Sequence, residues 1–220
     1  MDQSCMRGAI ISNADADDTI QYVSQETHNF VQDPGKVTMG MSHGSFLKGL
    51  KIDPEDAELS IVAETLCLDA EKVTKRLRHL TSYTLAEHRA VVQGTVPAKV
   101  GVALQIINGA SGQLQTCKLI MTTIERPNNS GCCLTLLHDV TSEISVEYLL
   151  SVASTGDYFE LMRGQKAMAR SKDFVEHLHE FGQSASQALS EASTNQQQLP
   201  SPPNDDQVEP RTGDPPAPDS

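Results

Sequence analysis

Basic residues are in short supply: 17 Lys and Arg stand against 29 Asp and Glu, a net charge of -12. Non-specific nucleic-acid binding relies on cations meeting phosphate, so this balance argues against it. No apolar run approaches the roughly 20 residues that a membrane span needs. Met1-Asp2-Gln3-Ser4-Cys5 lacks the basic and apolar segments of a signal peptide. These absences predict an intracellular, cytoplasmic protein, with the nucleus left open, that contacts neither nucleic acid nor membrane.

Motifs that carry chemistry are missing too. The five cysteines, Cys5, Cys67, Cys117, Cys132 and Cys133, form no CxxC pair, and no His cluster has zinc spacing. The cysteines are expected to be reduced and to serve as small apolar residues, with Cys132 and Cys133 pointing to opposite faces of a strand. Gly109 and Gly112 lie between strands, with no Lys following as in a phosphate loop. There is no serine elbow or kinase motif, and the carboxylates fall in caps and tails. The expectation is a non-enzyme without a metal site. His43, among small residues in Met39–Gly44, is expected to be a loop histidine. Asp15–Asp18 lacks the glycine and closing glutamate of a calcium loop and is expected to be a solvated turn.

The most patterned stretch is Val100–Ile144. Val100, Val102, Leu104 and Ile106 alternate with Gly101, Ala103 and Gln105, as in a half-buried strand. Asn108–Gly112 makes a turn, Leu114–Glu125 a second strand, Pro127–Gly131 a break, and Cys132–Val140 a third strand. Short connections make this an antiparallel meander. Val102, Leu104, Ile106, Ile120, Leu134 and Leu136 should be buried on one face.

Upstream, Gly8–Ile11 and Thr19–Val23 form a hairpin, and Thr27–Val31 a helical turn. Three helices are then expected. Asp53-Pro54-Glu55-Asp56 starts the first, with Leu59, Val62, Ala63 and Leu66 on one side. Asp69 caps the second, which turns Val73, Leu77 and Leu80 inward and carries Lys72, Lys75, Arg76 and Arg78. Thr84-Leu85-Ala86-Glu87 opens a third, short helix as a capping box, and Gly94 and Pro97 end it.

Two strands, a group of helices and three strands, closing in His138-Asp139-Val140-Thr141, resemble a PAS domain over roughly Arg7–Ile144. Ile20–Val23 is similar to the family's second strand, and Asp53–Asp56 to its frequent helix start. The resemblance implies an α+β fold: a five-stranded antiparallel sheet with a helical cluster on one face, enclosing a pocket. It also implies a sensory or protein-interaction module, with a small apolar ligand as one form of input. Val102, Leu104, Ile120, Leu134 and Leu136 are the pocket-lining candidates. Some family members hold haem or flavin. Cys67, in Thr65-Leu66-Cys67-Leu68-Asp69, does not match the flavin-bonding Asn-Cys-Arg-Phe-Leu-Gln run. His88 falls where oxygen-sensing members place the haem histidine, so it is the cofactor-binding candidate if haem is held. The basic residue that those members carry after the next strand's glycines is missing. The expected cofactor is therefore none. An adaptor whose core is filled with side chains is the alternative function.

Residues 145–183 read as a helical extension. Ser142–Val152 continues as a helix, Asp157-Tyr158-Phe159-Glu160 is a capping box, and Phe174, Leu178 and Phe181 recur along one side. This stripe is the interaction candidate, for a protein partner or a second copy in a homodimer; packing on the chain's own sheet is the other outcome. Residues 184–220, rich in Ser, Gln, Pro and Asp, cannot offset the entropy of ordering and are expected to be a disordered tail.

Overall fold

A computed structural model describes residues 8–15, 17–31, 37–125 and 131–197. Strands β1 (Gly8–Asn13) and β2 (Ile20–Val23) precede helices α1 (His43–Gly49), α2 (Ala57–Thr65) and α3 (Ala70–Val92). Strands β3 (Val100–Asn108), β4 (Leu114–Glu125) and β5 (Gly131–Asp139) follow. Helices α4 (Val146–Val152), α5 (Gly156–Ala169) and α6 (Lys172–Gln197) come last.

The strands form one antiparallel sheet in the order β2-β1-β5-β4-β3. The meander supplies β3, β4 and β5, and β1 inserts beside β5, with Ile11 opposite Leu134. This is an α+β fold of PAS-like arrangement. All strands but β2, which is exposed at Gln21 and Tyr22, are largely buried on both faces, however, with every residue of β3 from Val100 to Ile107 buried. The alternation that predicts a half-buried strand reflects two different coverings, not water on one side.

One face, here the outer one, carries Val100, Val102, Leu104, Ile106, Ile120, Leu134 and Leu136. They pack with Leu149, Tyr158, Met162, Phe174 and Leu178 of α4–α6. On the inner face, Ile10, Ile107, Cys117, Leu119 and Leu137 pack with Phe30, Phe46 and Leu47. Ala103, Met121 and Cys133 pack there with Val91 of α3. Cys132 lies in the outer cluster and Cys133 in the inner one, as the strand period requires. Gly101 lets α3 approach: a Cβ there would stand 2.5 Å from Val91 Cγ2. Gly182 does the same for α6, where a Cβ would stand 2.4 Å from Ile124 Cγ2.

Several helix boundaries differ from those expected. Asp56, not Asp53, caps α2: its Oδ1 accepts from Glu58 N and Leu59 N, while Oδ2 accepts from Asn108 Nδ2 at the end of β3. That tie to the sheet fixes the start, leaving Asp53–Asp56 as a turn. Thr84 does not open a new helix. No Gly or Pro interrupts Ala70–Val92, and the Thr84 hydroxyl donates to the Leu80 carbonyl inside one long α3. Asp69 caps that helix as expected, accepting from Lys72 N. After β5 the chain makes a turn before Ser145 caps α4, so the helix begins later than Ser142. Asp157 forms no cap; α5 starts at Gly156, preceded by Thr155. The backbone of α6 runs to Gln197, beyond the Ser184 boundary of the expected tail, because 184–197 holds Ala, Gln, Glu and Leu without a proline. Residues 198–220 lie outside the described residues. No helix among the described residues is long and apolar enough to cross a membrane.

Candidate functional site

The inner face holds a buried polar cluster built from four elements. Ser12 on β1 and Cys133 on β5 are opposite each other in register, so their side chains emerge side by side. His43 is the first residue of α1, behind the cap Ser42, and is fully buried. This corrects its assignment to a loop: the small residues around it lie at a helix start. His88, on the inward side of α3, is 4% exposed. Asp18, in the β1–β2 connection with φ 47°, completes the group.

Asp18 organises the corner. Its carbonyl accepts from His43 N at 2.7 Å, and its Oδ2 accepts from Gly44 N at 2.9 Å. The expected solvated turn therefore turns one acid inward, while Asp15 Oδ1 accepts from Asp17 N and Asp18 N. Ser12 Oγ lies 3.3 Å from Asp18 Oδ1 and 2.9 Å from His43 Nδ1. With Asp18 ionised, the single Ser12 proton goes to that carboxylate. His43 Nδ1 must then donate to Ser12 Oγ, which leaves the lone pair on Nε2.

His43 Nε2 and His88 Nε2 are both buried without a hydrogen-bond partner. Leaving such atoms unmatched costs about 1–3 kcal/mol each. His88 Nε2 lies 3.5 Å from Asp18 Oδ1, and the two imidazole centroids are 4.4 Å apart, edge to face. One donor atom each from His43, His88 and Cys133 falls within 4.8 Å of the others. Burial, and then the neighbouring His88, hold His43 well below the ordinary histidine range. His88 is lowered by burial, against the pull of Asp18. Burial raises Asp18 above the usual carboxylate range. The Cys133 thiol is pushed up to about 12 by burial and by Asp18. The cluster thus presents two neutral imidazoles and a thiol in a dry site.

The sequence candidates lie elsewhere, with one exception. Val102, Leu104, Ile120, Leu134 and Leu136 belong to the outer core under α4–α6, away from α1 and the second half of α3. Phe174 and Leu178 also pack in that core, and Phe181 is 41% exposed. The stripe continues through Gly182 rather than Phe181, because Gly182 is the position that meets Ile124. The exception is His88, which the cluster includes. A haem plane on its Nε2 would need the space that Asp18 and His43 occupy, so these residues do not fit that group. Cys67 is exposed at the end of α2, with φ 52°. His43, Asp18 and Cys133 escape a sequence search because they are far apart in the chain and meet only through the β1–β5 pairing. The one local signal is Ser42 before His43, a helix cap.

Three side chains join the faces around the sheet's edge. β3 is an outer strand, and Glu87 of α3 reaches over it: Val102 N donates to Glu87 Oε2 at 3.3 Å, and Lys166 of α5 pairs with Oε1. Arg170 Nε donates to the Val100 carbonyl at 3.0 Å. The Lys166 ammonium also sits 5.1 Å from the Tyr83 ring centre. Two backbone groups of this edge, Val102 N and the Val100 carbonyl, are thereby engaged.

No protein-family model and no curated protein matches the chain. Among solved structures, it is similar to one described as a fungal LOV-domain photoreceptor that reveals a conserved pathway integrating blue-light and oxidative stress. The likeness covers 60% of this chain and 74% of that one, at 10% identity and a TM-score of 0.34. So distant a likeness assigns neither chromophore nor activity. The five-stranded antiparallel sheet itself fits a PAS-like fold.

Proposed function

We propose that the chain is a non-catalytic PAS-like sensory or protein-interaction module, reading its input on the inner face and relaying it through α5 and α6. The observation that carries this is the Glu87–Lys166 clasp over β3. Glu87 is the residue before His88, so a shift of α3 at the buried cluster acts directly on α5. Both groups of the clasp are largely shielded, with side-chain exposures of 12% for Glu87 and 21% for Lys166. Removing one partner therefore leaves the other poorly solvated, a coupling stronger than that of a surface ion pair.

Hydrogen exchange on the metal-free, full-length protein tests the relay. His88→Ala alters the inner face only; exchange in Lys172–Ala185 is expected to accelerate. In Lys166→Met, adding His88→Ala should leave α6 exchange unchanged. Changes confined to α1 and α3 in the first comparison would overturn the relay.

The filled inner core favours the adaptor as a second reading. Phe30, Ile107, Leu119 and Leu47 are fully buried there, in the space that a small apolar ligand would use. Native mass spectrometry of the purified protein separates the two. A stoichiometric bound small molecule supports ligand input, and the bare chain mass supports the adaptor.

A further inference from the structure

We propose that His43, His88 and Cys133, with Asp18 beside them, form a binding site for a thiophilic divalent transition ion, of which Zn2+ is the best chemical fit. Two imidazoles and one thiolate are a borderline-soft set suited to zinc rather than to magnesium or calcium. The donor atoms, within 4.8 Å of one another, need to close by at most about 1.5 Å to reach the separations of about 3.3–3.6 Å in a tetrahedral sphere. Two features of the site point to an ion. The Nε2 atoms of His43 and His88 are buried with no hydrogen-bond partner among the described residues, and His88 Nε2 lies 3.5 Å from Asp18 Oδ1 inside the cluster. The other nitrogen of His43 is held by Ser12, the arrangement by which a second residue orients a metal-binding imidazole.

Charge supports the same assignment. Binding exchanges the Cys133 thiol proton for the metal, so Cys–SH and M2+ give Cys–S–M+ and a released H+. The Asp18 carboxylate supplies the second negative charge, as the fourth ligand or as the partner of His88. The ion with both anions is then neutral overall, the condition a buried site favours. The site does not require the relay proposed above. It would fix β1, β5, α1 and α3 to one another at a single point.

The test uses the full-length protein, stripped with a chelator and dialysed, with Co2+ as the probe and Zn2+ as competitor. One equivalent of Co2+ is expected to bind with a near-ultraviolet thiolate-to-cobalt band, and Zn2+ should displace it. Cys133→Ser should remove the band, and His88→Ala should weaken binding at least as much as loss of an outer partner does. Ser12→Ala, which only orients His43, should weaken it by about 10–100-fold. Cys67→Ser, on the exposed end of α2, should change nothing. Circular dichroism establishes that each variant is folded; if Cys133→Ser is not, Cys133→Ala and Asp18→Asn take its place. A folded wild type that binds no Co2+ overturns the site. So does a thiolate band that survives in folded Cys133 variants, or one lost in Cys67→Ser. Failure of the hydrogen-exchange relay with intact Co2+ binding would leave the site standing and remove only the relay.

Discussion

The two faces of the sheet are equally dry but are built by different means. The outer face is mainly apolar, under α4–α6, and the hydroxyls it buries, on Thr116, Thr122 and Tyr158, have no hydrogen-bond partner among the described residues. The inner face buries Ser12, His43, Thr84, His88 and Gln105 as well as apolar residues. Gln105 Nε2 donates to Thr84 Oγ1 at 2.9 Å, and Asp18 ties a turn to α1. Aliphatic packing tolerates small shifts, whereas directional polar contacts hold helices in one position. The outer face contributes stability, and the inner face contributes position.

The largest expected effect is on the outer face. Leu136→Asp places an unpaired carboxylate in this mainly apolar layer and should cost several kcal/mol, about 4 or more. Denaturant unfolding measures it; a variant within about 1 kcal/mol of wild type would mean that this face is not closed by α4–α6. A matched pair of glycine substitutions compares the faces directly. Gly101→Ala drives a methyl into Val91, and Gly182→Ala drives one into Ile124. Each should cost about 1–3 kcal/mol, with Val91→Ala and Ile124→Ala rescuing only their own partners. Cross-rescue would show that the two faces do not pack independently.

Thr84→Val should cost about 1–2 kcal/mol by stranding the buried Gln105 amide. A neutral result would mean that the inner face holds its helices by apolar packing alone. The mildest effect is with pH. His43 and His88 are both held below their ordinary value of 6.5 by burial. The unfolded chain therefore binds more protons as pH falls below about 6.5, and the metal-free protein should lose stability progressively from there. Asp18, raised above 3.8, works the other way at lower pH, where the folded form takes up its proton first. His79 and His138 are lowered as well, so the share lost in a His43→Gln, His88→Gln variant measures the inner face's part. Melting temperatures between pH 7 and pH 5 that stay flat or rise would contradict the shifts.

The outer face was legible in the sequence because its information is local. Val102, Leu104 and Ile106 announce a strand by alternation, and Phe174 and Leu178 announce a buried helix side by spacing. The α+β order of elements followed from the same signals. The inner cluster was not legible, since its members belong to four elements and none is unusual in its own neighbourhood. His43 sits among glycine and serine, which resemble a loop until Ser42 is seen to cap α1. Thr84 and Glu87 match a capping box by spacing, yet the uninterrupted helix around them uses Thr84 to hold Gln105 and Glu87 to hold β3.

The insertion of β1 beside β5 also sets the order in which the molecule can assemble. The β3–β4–β5 meander closes through short connections, so its pairing carries little loop entropy. Ile10 and Ile11 pair early with Val23 and Tyr22 of the neighbouring β2, but the other edge of their strand must wait for Thr135 and Leu134, more than a hundred residues further along. A growing chain therefore carries a two-stranded hairpin with one open apolar edge near its start until the last strand of the sheet has emerged. Contacts this distant slow folding, and they make the β1–β5 seam the last part of the sheet to close.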